Sequence, residues 1–335
     1  MIITPYLLRH ENIAHIEGGN LYIGDRRAYP FKEEFVRCST IEEVALALQQ
    51  MVTQGGGPLE VALAAMRLVR IQIREGRALP ALSTFRSAAE TLSTARPTNT
   101  TMKRTLSRLL APYRTLDDAM DLIEEDVAAL LDEWDAIYHQ MGRSGSTLLS
   151  DGSRVLTTCF GEHTLLYTLA YAREAGKAVT LYVNETRPYL QGSRLTAPSA
   201  HEMGIEVTII GDGMGANLMR EGMIDMYMSA CDVLCMDGTV VNKVGTRSNA
   251  IAACYHNLPY YAYAISPDPS KDDSSALVME ERDPQEMKEC LGQATTIDGV
   301  GAYYPAFDII EADLVTGLVT PKGILKPAEI KEHFA

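Results

Sequence analysis

Hydrophobic spacing changes character near the middle of the chain. In the first part apolar residues recur at three- and four-residue steps, which places them on one face of a helix. Thr40 and Glu43 form the reciprocal cap that opens such a helix, and Val44, Leu46, Leu48 and Met51 supply much of its apolar face. The run Gln54-Gly55-Gly56-Gly57-Pro58 interrupts it, and a strongly apolar helix resumes over residues 59–73. Further helices are predicted over residues 82–95, 100–111 and 116–141, the last with acidic residues near its start, where the helix dipole favours them. Ahead of these, residues 20–23 read as a strand that ends at the turn signal Gly24-Asp25.

After Arg143-Ser144-Gly145-Ser146 the pattern becomes one of short apolar runs, at residues 154–158, 179–183, 206–210, 226–229 and 260–265. Helical segments fall between them, at 163–175, 194–203, 217–221 and 247–257. This alternation predicts an α/β fold built from βαβ units, with a parallel sheet covered by helices. A boundary near residues 142–152 gives two domains, a mainly helical 1–145 with a small β element and an α/β 146–335. No internal repeat or low-complexity tract is present. In such sheets ligands gather beyond the carboxyl ends of the strands. Thr158-Cys159, Glu185-Thr186-Arg187, Asp212 and Cys231-Asp232 stand at four of these ends, with Val241-Asn242-Lys243 close by. One polar group after a strand is ordinary turn chemistry; this many point to a site.

Composition narrows the function. Of 335 residues 46% are hydrophobic and 22% charged, as in globular proteins. Thirty basic against 44 acidic residues leave a net charge of −14, which argues against a general nucleic-acid binder. A small anionic substrate remains compatible, because a few arginines and backbone amides suffice for phosphate. The six cysteines are scattered; Cys231 and Cys235 lack a second pair or a histidine cluster, so no metal site is expected. With no run of about 18 apolar residues and no secretory leader at the start, the expectation is a cytoplasmic protein without a membrane span. Gly211-Asp-Gly-Met-Gly-Ala216 superficially resembles a dinucleotide fingerprint, but its spacing is wrong and it follows the third strand of its half, not the first. A nicotinamide-dependent dehydrogenase is therefore disfavoured.

Several longer segments carry a family likeness: Thr-Thr-Cys159, Asn184-Glu-Thr-Arg-Pro-Tyr-Leu-Gln-Gly192, Ala230-Cys-Asp232, Asp237-Gly-Thr-Val-Val-Asn-Lys-Val-Gly-Thr246 and Pro305-Ala-Phe-Asp308. In order and spacing they resemble the 5-methylthioribose-1-phosphate isomerase family. That superfamily also holds 5-deoxyribose-1-phosphate isomerase, ribose-1,5-bisphosphate isomerase and regulatory subunits of a translation-initiation nucleotide exchange factor. The likeness runs on through Glu280-Glu-Arg-Asp-Pro284 and Lys322-Gly-Ile-Leu-Lys-Pro327, and upstream takes in Phe35-Val-Arg-Cys38 and Arg96-Pro97-Thr98. It implies a helical N-terminal domain, a Rossmann-like C-terminal domain, a phosphorylated pentose substrate, a homodimer, and neither cofactor nor metal. It also implies that Cys159 and Asp232 are the catalytic pair, and that Gln191, Asn242, Lys243 and Arg96 contact the sugar phosphate.

The chemistry suits these residue types. A sugar with phosphate on its anomeric oxygen opens only if the ring oxygen is protonated and the ring C–O bond breaks. Then either a C2 proton leaves or a C2 hydride moves to C1. Asp232 is the expected acid at the ring oxygen, its apolar neighbours in Met226-Tyr-Met-Ser-Ala-Cys-Asp-Val-Leu-Cys235 suiting a raised pKa. Cys159 is expected at C2, as a thiolate base favoured by a neighbouring helix N-terminus or as a group that orients the cationic intermediate. Gly55, Gly56 and Gly57 precede a helix, where backbone amides approach an anion. Two departures from the family bear on the substrate. Gly55 stands where its isomerases usually carry an arginine, for which Arg26, Arg27 or Arg187 are candidate replacements, and Phe160-Gly161-Glu162 follows the cysteine in place of asparagine and a small residue. The alternatives are an isomerase of another sugar phosphate or a non-catalytic sugar-phosphate-sensing regulatory protein. Presence of both Cys159 and Asp232 argues against the latter, since the translation-factor branch generally lacks them.

Overall fold

The computed structural model describes residues 2–96, 100–277 and 279–334. Contacts divide them into one unit of Tyr6–Ala136 and another of residues 2–5 with 137–334.

The first unit carries an antiparallel sheet, β1 (Ala14–Glu17), β2 (Asn20–Gly24) and β3 (Phe35–Cys38), with β2 central. Leu21 and Ile23 alternate inward along β2 and are fully buried, as a two-residue period requires when one face is covered. Helices α1 (His10–Ile13), α2 (Ile41–Gln49), α3 (Gly57–Arg74), α4 (Leu82–Ala95), α5 (Thr100–Leu110) and α6 (Leu116–Ser146) make up the rest. The division between the units falls within α6, and the expected boundary at 145/146 sits at that helix's C-terminal end. The cap of α2 forms as read: Thr40 Oγ1 accepts from the Glu43 amide at 3.2 Å and Glu43 Oε2 from the Thr40 amide at 3.3 Å. Val44 and Leu48 are fully buried, but Leu46 is half exposed. It lies two residues from each, hence about 200° round the helix from the apolar face.

His10 ties three segments of this unit, its Nδ1 2.7 Å from Glu60 Oε2 and its Nε2 2.9 Å from Asp135 Oδ2. The Asp135 and Glu60 hydrogen bonds raise the imidazole from 6.5 to about 10. Because the folded value exceeds the unfolded one, this contribution is complete below about pH 6.5 and disappears as pH climbs through about 10. The side chain is partly exposed, so solvent screens the effect. Urea midpoints are expected to fall more steeply between pH 7 and 10 in the wild type than in His10→Gln; parallel slopes would refute the assignment.

The second unit is built on a seven-stranded sheet. Its strands are β4 (Ser153–Thr157), β5 (Val179–Asn184), β6 (Glu206–Ile210) and β7 (Met226–Ala230), then, after the hairpin of β8 (Val233–Leu234) and β9 (Val240–Lys243), β10 (Tyr260–Tyr263). A small hairpin, β11 (Glu289–Cys290) with β12 (Gln293–Ala294), precedes β13 (Phe307–Ile310), β14 (Gly317–Thr320) and β15 (Gly323–Leu325). The order across the large sheet is β15-β14-β10-β7-β4-β5-β6, all parallel except β15. β13, β9 and β8 form a separate three-stranded sheet. Helices α7 (Glu162–Glu174), α8 (Ala197–Glu202), α9 (Gly215–Arg220) and α10 (Thr246–Tyr255) fall between strands, and α11 (Ile330–Phe334) follows β15. Residues 194–203, expected as one helix, begin instead as a π-helical turn over Gly192–Thr196. This is the predicted α/β architecture. From β4 the chain moves to β5 and β6 on one side, then returns to β7 on the other. The strand order therefore reverses between β4 and β7, which opens a crevice beyond their carboxyl ends.

Candidate active site

Cys159 and Asp232 stand at that crevice, two residues beyond β4 and β7 respectively. The backbone around Cys159 is held in a costly conformation. Cys159, Glu162, Thr186 and Leu190 have φ of 68°, 38°, 64° and 59°, a left-handed region that side chains disfavour, most of all the β-branched threonine. Hydrogen bonds pin them there. The Cys159 amide donates to Thr186 Oγ1 at 2.9 Å, and Thr196 Oγ1 donates to the Cys159 carbonyl at 2.7 Å. The Thr186 and Arg187 amides donate to the two Asp212 carboxylate oxygens at 2.7 and 2.8 Å, and the Leu190 amide to the Thr186 carbonyl at 2.7 Å. Backbone strain concentrated at one spot and over-determined by partners is the mark of a positioned group.

Beneath this loop lies a buried polar network. Thr158 Oγ1 donates to Asn184 Oδ1 at 3.0 Å and accepts from Tyr227 Oη at 2.9 Å and Asn249 Nδ2 at 3.1 Å. Asn249 Nδ2 also reaches Asn184 Oδ1 at 2.8 Å. Four elements are thus locked at the floor of the site, a satisfied network that specifies one arrangement. Asn249 and Tyr227 gave no sequence signal of this role; an asparagine in a helix and a tyrosine in a strand read as ordinary.

The charged groups differ from expectation. Burial pushes the half-buried Cys159 thiol up to about 11; Lys243 lowers it, Asp232 raises it, the Phe160 amide lowers it and Asp212 raises it. The first turn of α7 begins three residues on, but desolvation outweighs its amides and disfavours the thiolate form of Cys159. Asp232 is exposed, not enclosed by apolar neighbours, because β7 ends at Ala230 and the carboxylate stands past the covered part of the strand. Lys243 is 5% exposed on β9, its Nζ 4.8 Å from the centre of the Phe307 ring and 6.0 Å from that of Tyr189. β13 pairs Phe307 directly with Lys243. The cation is thus sheltered by aromatic faces and acts on the thiol.

Lys243 and Asp232 therefore both act electrostatically on the Cys159 thiol. Gln191 is buried at the start of the π-helical turn that follows the Thr186 loop. Asn242 is buried beside Lys243 and donates from Nδ2 to Thr246 Oγ1 at 2.9 Å, which orders the start of α10. Phe160 is buried, and Glu162 opens α7. Gly55, Gly56, Gly57 and Arg96 belong to the first unit. Gly55 has φ 65°, and Gly57 packs so closely that a Cβ would lie 2.1 Å from Thr53 Oγ1. Arg96 ends α4 and reaches Met51 Sδ at 3.0 Å; Pro97 and Thr98 lie outside the described residues. The three arginines considered as phosphate ligands hold protein groups: Arg26 the Gln54 and Leu7 carbonyls, Arg27 the Asp25 carboxylate, Arg187 the Met287 and Glu289 carbonyls. Among the described residues no cluster of His, Cys, Asp or Glu is arranged to hold a metal, and no helix is long and apolar enough to cross a membrane.

Comparison with known proteins adds the following. A family model described as the initiation factor 2 subunit family matches residues 55–327. A methylthioribose-1-phosphate isomerase of Thermotoga neapolitana is 36% identical over 324 residues, covering 92% of this chain and 93% of that protein. The Thermotoga maritima protein of the same name is 34% identical with the same coverage. Among solved structures, 5-methylthioribose 1-phosphate isomerase from Pyrococcus horikoshii OT3 has a TM-score of 0.82 at 27% identity, covering 96% and 93% of the two chains. Translation initiation factor eIF-2B subunit delta from A. fulgidus has a TM-score of 0.79 at 29% identity, covering 95% and 96%.

Proposed function

The chain belongs to the initiation factor 2 subunit family, and from that premise we propose that it is an isomerase turning an aldose 1-phosphate into the ketose 1-phosphate. The substrate we infer is 5-methylthioribose 1-phosphate or a close 5-substituted or 5-deoxy analogue. The observation that carries the reading is the placement of Cys159 and Asp232 at one switch-point crevice with Lys243 in electrostatic reach of the thiol. Relatives that share a third of its residues are named for this reaction.

In this reading Asp232 donates a proton to the ring oxygen and the C1–O4 bond breaks, leaving a cation at C1 stabilised by the ester oxygen. The C2 hydrogen then moves to C1 with its electron pair, C2 becomes a carbonyl, and the Asp232 carboxylate takes the O2 proton. Atoms balance and the acid is restored. A thiol held near 11 is a poor base at neutral pH, which favours this hydride route over proton abstraction. Cys159 then lines C2 as a neutral group. Because Asp232 is exposed, the bound sugar itself must strip water from the carboxyl group to keep its proton.

Incubation with substrate deuterated at C2 is the test. NMR is expected to show a C2 ketone with deuterium retained at C1; washout into solvent would overturn the hydride route, and no ketone across the sugar panel would overturn these substrates. Likeness to a translation-factor subunit supports a second reading, a sugar-phosphate-binding regulator. It predicts binding of the same sugars with no change at C2.

A further inference from the structure

We propose that Tyr304 and Glu286 bind the C3 hydroxyl of the pentose, the phenol as donor and the carboxylate as acceptor. The inference rests on the isomerase reading above. Tyr304 is 2% exposed, and its Oη is buried with no hydrogen-bond partner among the described residues. Glu286 Oε2 is in the same condition. Buried phenols ordinarily find a partner, and an orphaned polar atom in a native fold calls for an explanation. Here a donor and an acceptor are both left without a partner.

Their place in the site is set by Tyr189. The Tyr304 ring meets the Tyr189 ring edge-on at 6.1 Å and 73°, and the Tyr189 side chain is paired with Glu286. Tyr189 in turn flanks the Lys243 ammonium, as does Phe307, three residues after Tyr304. The groups that act electrostatically on Tyr304 are Tyr189, Glu286, Arg282 and Cys159. Glu286 and Tyr304 influence one another electrostatically without bonding, and one ligand atom that both accepts and donates would satisfy the two together. A hydroxyl does this. A 5-substituted ribose 1-phosphate has free hydroxyls only at C2 and C3, and C2 is the reacting carbon beside Cys159, which leaves C3.

The loop that carries Glu286 is closed at its base, where the Arg282 amide donates to the Tyr304 carbonyl at 3.0 Å and the Ala306 amide to the Glu280 carbonyl at 2.9 Å. Arg187 fastens it through the Met287 and Glu289 carbonyls. Its outer residues Leu291, Ile297 and Tyr303 are exposed.

The experiment compares wild type, Tyr304→Phe and Glu286→Gln on 5-methylthioribose 1-phosphate and its 3-deoxy analogue. Each substitution is expected to lower kcat/KM for the hydroxylated sugar on the order of 10- to 100-fold, with less than about 3-fold change for the 3-deoxy sugar. Tyr304→Phe should leave the urea midpoint of the free protein unchanged or raised, since it removes an unpaired group. Equal losses on both sugars, or no loss on either, would overturn the assignment while the isomerase reading stands. A lowered midpoint without discrimination between the sugars would mean a trapped water bridges the pair, and would also overturn it. Failure of wild type to turn over either sugar removes the reading on which the inference rests, and the inference with it. Should Tyr304→Phe not fold, Glu286→Gln alone decides, because Glu286 lies in a short 3-10 turn outside the sheets.

Discussion

Asp232→Asn is expected to lower kcat by roughly 10²–10⁴-fold, the usual contribution of a positioned general acid, with the fold unchanged. Asparagine keeps the size and the hydrogen-bonding capacity of the side chain but cannot donate an acidic proton to the ring oxygen. Stability should hold because the side chain is exposed, and the backbone bond at this position, from the Asp232 amide to the Val241 carbonyl at 2.8 Å, does not depend on the carboxylate. A urea midpoint within about 0.5 kcal/mol of wild type is therefore expected. The same variant carries a second readout. Asp232 is one of the groups that raise the Cys159 thiol, so thiol alkylation followed against pH should report a midpoint below about 11. Loss of less than about 10-fold in kcat would remove Asp232 from the chemistry. An unmoved thiol would separate the two residues.

Gly192→Ala is expected to be the most damaging single methyl in the second unit. A Cβ there would lie 1.7 Å from the Asn184 carbonyl oxygen and 2.9 Å from both the Asn184 carbonyl carbon and Val183 Cγ1. The first two are backbone at the end of β5, with no flexible side chain to swing aside. The π-helical turn must move off the strand, and with it Gln191 and the Thr196 hydroxyl that holds the Cys159 carbonyl. The cost should reach the upper end of the roughly 1–3 kcal/mol seen for overpacked sites, or exceed it. Urea unfolding measures that loss directly. Turnover should fall further than stability alone explains, since the cysteine loses its restraint. A midpoint within about 0.5 kcal/mol of wild type would show that the turn yields easily and that the close approach positions nothing.

Much of the fold was legible because its signals are local. Thr40 and Glu43 lie three residues apart, so their mutual cap can be read as text, and it forms. Strands β4, β5, β7 and β10 stand out as apolar runs because the centre of a parallel sheet is buried on both faces, whereas β14, four residues long and just as buried, was not read. The short strands β8, β9 and β13 were missed: two to four residues long, they carry no period to detect. Leu46 was misplaced for the opposite reason, a general expectation of apolar inside applied to a residue on the far side of the helix. The site was legible as a set of residues at strand ends, and motif order tied them to a family. How they meet was not. Thr186 and Thr196 reach Cys159 across 27 and 37 positions of chain, and nothing in either threonine's neighbourhood announces it.

Hydrophobic period and motif spacing are properties of neighbours along the chain, and from them follow the α/β class, the family likeness, and the residues that stand at the carboxyl ends of the strands. The state of those side chains came from the folded arrangement. It desolvated the half-buried thiol of Cys159 and left Asp232 exposed; it set Lys243 against Phe307 and closed Tyr304 against Tyr189. Burial and charge act through space over a few ångströms, and the distances that matter here join residues far apart in the sequence.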